Sequence, residues 1–174
     1  GDAIAIAKGS FWLDRGYRVL RINDSAGNLS VISPAHWREF VKPHFTTVVR
    51  ELHRRCPEAL LYCHVCGNVL PIVGDLADTG LDGIAPLDPL GGFRVTDARR
   101  ALDAWMEVAG LAARPVALMG GIDTLSFVQR TPDEIAAEAG ACIAGARRAG
   151  DPFGPGRTVP AGFILGSGCV VPRD

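Results

Sequence analysis

Between Leu60 and Asn68 the sequence reads LLYCHVCGN, with a histidine and two cysteines inside four residues. Three kinds of chemistry suit such a cluster: metal binding, dithiol redox exchange, or simple apolar packing. On an extended chain residues i and i+2 point the same way, so His64 and Cys66 can reach one ion together. Zinc takes thiolate sulfur and imidazole nitrogen at about 2.0–2.3 Å, usually in a tetrahedron. A third ligand must then come from elsewhere. Cys169, between Gly168 and Val170, is the candidate, and the glycines beside it permit the turn that would aim its sulfur inward. The competing reading is a satisfied core histidine with the cysteines as small apolar side chains. Cys63 faces away from His64 and Cys66 and is assigned to packing, as are Cys56 and Cys142 on helical stripes. A redox pair of Cys63 and Cys66 would sit at a helix start, whereas this pair ends a strand.

The elements that must position these residues follow from periodicity. Strands are expected at 3–7, 17–22, 59–63, 81–85 (ending at Pro86), 115–119 and 162–165. Ser33-Pro34 offers a helix N-cap with proline in the first turn. Behind it Val41, Phe45, Val48, Val49, Leu52 and Cys56 share one helical face, and Pro43 is expected to split or kink the segment. A short helix is expected at 69–77. Another at 97–109 aligns Ala98, Ala101, Leu102, Trp105, Met106 and Ala109. Thr131-Pro132-Asp133-Glu134 has capping-box spacing, ahead of a stripe of Ile135, Ala139, Cys142, Ile143 and Ala146. Residues 150–160, rich in glycine and proline, read as a loop.

Alternating strands and helices imply an α/β fold with a parallel sheet. A closed eight-stranded barrel needs about 250 residues, so 174 residues allow either a small open sheet or about five-eighths of a barrel. The strand ends favour the barrel. Asp24, His64 with Cys66, Asp88, Asp123 and Cys169 each follow a predicted strand, the end at which parallel α/β folds build their sites. Asp24 is a candidate fourth zinc ligand or substrate contact, or else an Asx-turn residue. Asp123 is a candidate catalytic residue, or else a helix N-cap. Asn68 is a candidate substrate or cofactor contact, or else a turn residue. Asp88 precedes Pro89 and reads as turn chemistry.

Composition is that of one globular domain spanning 1–174, 48% hydrophobic and 21% charged with net charge −1. The arginine pairs at 54–55, 99–100 and 147–148 suit solvated helix faces, so no nucleic-acid footprint is expected. No apolar run approaches the roughly 20 residues that span a bilayer. Five scattered cysteines argue against a disulfide framework and for a cytoplasmic protein. The opening at Gly1, in what reads as a strand, and the stop just past another suggest a fragment of a longer chain.

Four segments, DSAGNLSVISPAHWREFVKPH, LLYCHVCGNVLPIVGDLADTGLDGIAPLD, PVALMGGIDTLSFVQRTPDEIAAE and GFILGSGCVVPRD, together resemble the uroporphyrinogen decarboxylase superfamily. The likeness falls on the C-terminal half of its (β/α)8 barrels, and residues 8–21 match less well, as an insertion would. A His-x-Cys pair followed by a late cysteine is the mark of the zinc-containing corrinoid methyltransferases of that superfamily. Carried over residue by residue, the resemblance implies Zn2+ on His64, Cys66 and Cys169. It also implies methyl transfer between a corrinoid (cobalamin) protein and a thiol or tetrahydrofolate acceptor. The alternatives it leaves are a metal-free decarboxylase and a non-catalytic zinc-binding half-barrel. A half-barrel exposes apolar surface and strand edges, so the missing half or self-association is expected to cover them.

Overall fold

A computed structural model describes residues 1–24, 27–111, 115–147 and 162–172. Five strands, β1 (Val19–Asn23), β2 (Leu60–His64), β3 (Gly83–Leu87), β4 (Ala117–Ile122) and β5 (Phe163–Ser167), form one sheet in sequential order. Every neighbouring pair is parallel. The connections carry α1 (Asp2–Leu13), α2 (Pro34–His36), α3 (Lys42–Arg55), α4 (Val73–Asp78), α5 (Val95–Val108), α6 (Ser126–Gln129) and α7 (Pro132–Gly145). An open doubly wound sheet reverses its strand order and carries helices on both faces. Here the order never reverses. One face carries the core, while Val19, Leu60 and Ile164 on the other are 59%, 54% and 50% exposed. The sheet is part of a (β/α)8 barrel wall, and the small open sheet is excluded.

The stripes read from the sequence are the buried ones. Phe45, Val48, Val49 and Leu52 of α3, and Ala98, Leu102 and Met106 of α5, join the core cluster. The Ser33 hydroxyl accepts the His36 N–H at 3.2 Å, and the Thr131 capping box forms with Glu134. The break foreseen near Pro43 is a turn of π-helix at Trp37–Val41, just before the proline. Proline offers no N–H, and one wide turn lets the hydrogen-bond ladder pass that gap. Residues 150–160 lie outside the described residues.

Two strand readings are corrected. Residues 3–7 are not a strand: they belong to α1. The alternation of alanine and isoleucine there is too short to separate the two periods, and alanine favours helix. What decides is packing, since α1 lies on α3 and Gly9 sits so near Leu52 that a Cβ would clash with its side chain. The third strand does not stop before Pro86 but runs to Leu87, and its register with β4 shifts between Ile84 and Leu87. A residue without a donor is tolerated at such an irregularity.

Two helical glycines give a test of the packing. A Cβ on Gly74 of α4 would enter the Trp105 ring, whereas one on Gly140 of α7 would meet nothing within 4 Å. Gly74→Ala should therefore cost about 1–3 kcal/mol from overpacking. Gly140→Ala should add about 0.5–1 kcal/mol from helix propensity. Urea unfolding of the two variants beside wild type checks both signs.

Candidate metal centre

The site starts from the alternation of β2. Leu61 and Cys63 are wholly buried in the core, so Leu60, Tyr62 and His64 project from the other face. The same alternation continues for one more step. The Val65 N–H donates to the Ala85 carbonyl at 2.8 Å, and Cys66 follows on the side of His64. Gly67, with φ of 80°, then turns the chain.

Cys169 arrives from the loop after β5. The Gly168 N–H donates to the Ile122 carbonyl at 2.6 Å, and the Ser167 hydroxyl donates to the Cys169 carbonyl at 2.8 Å. Gly168 is not among the glycines with positive φ. What it requires is close approach: a Cβ there would lie 2.7 Å from Pro89 Cδ and 3.0 Å from Asp88 Cα. Asp88 itself is held by turn chemistry, with Oδ1 accepting the Leu90 N–H at 3.0 Å. Gly91 similarly lets the loop after β3 press against the backbone of Gly67 and Asn68. Loops from different strands are thereby locked together at one sheet edge.

The result is that Cys66 Sγ lies 3.2 Å from His64 Nε2 and 3.3 Å from Cys169 Sγ. All three cysteines of interest, 63, 66 and 169, are free thiols. Burial, with the nearby charge of Arg21, pushes the His64 imidazole below its ordinary pKa. The ring is then neutral near pH 7, the form that donates a lone pair to a metal. Cys63 behaves differently. Burial pushes its thiol up to about 12, so it stays protonated within the core and takes no part.

Two sulfurs and one imidazole nitrogen are a zinc donor set. Donor atoms around a tetrahedral zinc stand about 3.5–3.8 Å apart, so the two measured separations are shorter by a few tenths of an ångström. Among the described residues no group of three or more His, Cys, Asp and Glu side chains stands in ready metal-holding geometry. The structure thus brings together the predicted donors as two pairwise contacts sharing the Cys66 sulfur. The residues fit zinc in chemistry: one sulfur stands in contact with both an imidazole nitrogen and a second sulfur.

The remaining predicted residues sit elsewhere. Asn68 Oδ1 accepts the Leu70 N–H at 3.1 Å, which is turn geometry. Asp123 Oδ1 accepts the Leu125 N–H at 2.9 Å. It lines a cleft of about 650 Å3 with Phe93, Arg130, Glu138 and Cys142, and that cleft includes none of His64, Cys66 and Cys169. Asp24 ends β1 beside His64, donating its backbone N–H to the His64 carbonyl at 3.0 Å. Its carboxyl oxygen Oδ2 is buried and has no hydrogen-bond partner among the described residues. Burial raises the pKa of that carboxyl, against the opposing effect of the Gly27 amide. Its charge acts on Cys63, on the core side. Glu138 was not singled out from the sequence. Its carboxylate accepts the Asp123 N–H at 2.8 Å and the Ser126 hydroxyl at 2.7 Å, holding the end of β4. A glutamate among the polar positions of a helix gives no sequence signal for such a task.

The family model for uroporphyrinogen decarboxylase (URO-D) matches residues 4–174. The chain belongs to the uroporphyrinogen decarboxylase family. The match starts at Ile4, and its bounds enclose residues 8–21. A relative within reach is the methylcobamide:CoM methyltransferase MtaA of Methanosarcina barkeri, 23% identical over 138 residues, 70% of this chain. A methyltransferase from Methanosarcina mazei superposes with a TM-score of 0.68 at 20% identity, over 96% of this chain, and shares its fold. The chain spans 39% of the length of the first relative and 41% of the second.

Two measurements test this geometry. With metal stripped, a mild two-electron oxidant such as diamide should join Cys66 to Cys169, each thiol losing one hydrogen. Peptide mapping should find that bridge, with Cys56, Cys63 and Cys142 still free; a map without it contradicts the 3.3 Å sulfur contact. Asp24→Asn removes a charge that burial disfavours and should stabilise the metal-free protein at neutral pH by about 1 kcal/mol. Denaturant melts of equal or lower midpoint would contradict that.

Proposed function

We propose that this family member is a zinc-dependent methyltransferase that moves a methyl group between a corrinoid protein and a small thiol or tetrahydrofolate acceptor. His64, Cys66 and Cys169 would hold the zinc. The observation that carries the reading is the single sulfur of Cys66 in contact with both the imidazole of His64 and the sulfur of Cys169. The methylcobamide:CoM methyltransferase among the relatives supports the reaction class. Only about two-fifths of that relative's length is represented, so the five strands are read as the C-terminal share of the barrel. Activity of the whole protein belongs to the proposal.

When bound, zinc supplies a Lewis acid that holds an incoming thiol as its thiolate near neutral pH. The chain's own residues do the rest. The two cysteines supply negative charge, and the neutral His64 ring supplies a lone pair without adding any. Three protein ligands leave a fourth position for the acceptor, which separates a catalytic site from a closed structural one. The close approach of the loops at Gly168 and Gly91 sets where the donors stand. The open face of the sheet is where acceptor and corrinoid must meet. Asn68 and Asp123 hold turns, and we give neither a reacting role. Asp24 is likewise given none, since its charge falls on the core side. Among the described residues no helix is long and apolar enough to cross a membrane.

Metal analysis separates this from a metal-free decarboxylase of the same family. Wild type should carry about one zinc per chain, and Cys66→Ser and Cys169→Ser should each lose most of it. Methyl transfer from methylcobalamin should fall in step, with circular dichroism unchanged. Equal zinc in all three proteins would remove the mechanism.

A further inference from the structure

The cleft that Asp123 lines lies on the helix side of the sheet, and the proposed chemistry does not use it. Its floor is Phe93, Val95 and Cys142, all members of the buried core. Gly121 seals that floor: at its φ of 107° a Cβ would stand 2.5 Å from Val95 Cγ2 and 2.9 Å from Cys142 Sγ. Ala137 and Ala141, one turn apart on α7, border the same space with small side chains that suit a helix. The walls carry four carboxylates, Asp97, Asp123, Glu134 and Glu138, and two guanidiniums, Arg94 and Arg130. Every carboxylate already accepts a hydrogen bond from the chain. Asp97 takes the Arg94 N–H at 2.9 Å, Glu134 takes the Thr131 N–H at 2.8 Å, and Asp123 and Glu138 hold the amides described above. The guanidiniums are less committed. Arg130 makes one ion pair, Nη1 to Glu138 Oε2 at 3.8 Å, too long for a hydrogen bond. Arg94 has no hydrogen-bond or ion-pair partner among the described residues, yet its charge reaches Cys142 on the floor. Two guanidiniums with donors to spare, above an apolar floor, suit an oxyanion on an apolar body. The carboxylates around them disfavour more than a single negative charge.

We propose that the cleft between α5 and α7 is a binding site for a small monocarboxylate with an apolar body. Arg94 and Arg130 take the carboxylate, and the body lies on Phe93 and Val95 beside Ala141. His64 and Cys66 project from the opposite face of the sheet, so this site is separate from the metal centre and does not rest on the methyltransferase reading.

The test uses the full chain and three probes that share one ring and differ in charge: benzoate, benzyl alcohol and benzylamine. Ligand-observed NMR titration at neutral pH should show wild type binding benzoate about tenfold more tightly than the other two. Arg94→Gln and Arg130→Gln should each weaken benzoate about fivefold and leave benzyl alcohol within about twofold. Both arginines are exposed, so neither change threatens the fold. Arg94→Lys should keep part of the affinity. Ala141→Leu retains both charges but fills the cleft, and should abolish benzoate binding. Gly140→Ala, on the same helix beside open space, should bind as wild type does. Tighter binding of benzylamine than of benzoate would give the cleft to cations and overturn the assignment. So would no benzoate binding, equal binding of benzoate and benzyl alcohol, or benzoate binding that Ala141→Leu or both glutamine variants leave unchanged. None of these readouts depends on zinc or on methyl transfer, so the site stands or falls apart from the metal centre.

Discussion

The burial of Leu61 and Cys63 fixes the rest of the site. Both are fully enclosed on the helix side of the sheet. Because side chains alternate along a strand, enclosing these two sends Tyr62 and His64 to the opposite face, and Cys66 with them. A slip of one residue would exchange the sets, placing the imidazole in the core and Cys63 at the open edge. The apolar packing of one face thus determines the chemistry of the other. The contrast between the two cysteines has the same origin. Three positions apart, one is held protonated by burial and the other touches an imidazole and a second thiol.

Bringing the second thiol from the far end of the chain requires the loops to interlock. Parallel register puts the carboxyl ends of all five strands at one edge, but it does not by itself set two sulfurs in contact. That is done by backbone passing over backbone. Gly168 lies against Asp88 and Pro89, and Gly91 lies against Gly67. A side chain at either position would push one loop from the other. The loop carrying Cys169 is also tied to β4 through Ile122. The donors are placed by contacts among loops on a fixed sheet, the arrangement in which sites on α/β folds are usually built.

Much of this was legible in the sequence, for identifiable reasons. Long amphipathic stripes such as Phe45 to Leu52 have an unambiguous period, and Thr131 with Glu134 marks its helix start by chemistry. His64 and Cys66 could be paired because i and i+2 share a face whatever else the fold does. The first helix was misread because residues 3–7 satisfy both periods and its contact with Leu52 is tertiary. The close approach that demands glycine at 168 was likewise hidden, since it leaves no trace in the residue itself. Glu138 holds the end of β4 across a helix, and no local pattern announces that.

X-ray absorption at the zinc edge, on the zinc-loaded protein, tests the central claim most directly because it counts the ligand atoms themselves. The account predicts two sulfurs at about 2.3 Å and a histidine nitrogen at about 2.0–2.1 Å, with one light atom completing the shell. A single sulfur should remain after Cys169→Ser. A zinc shell of nitrogen and oxygen alone, or a wild-type spectrum that Cys169→Ser leaves unaltered, would contradict it.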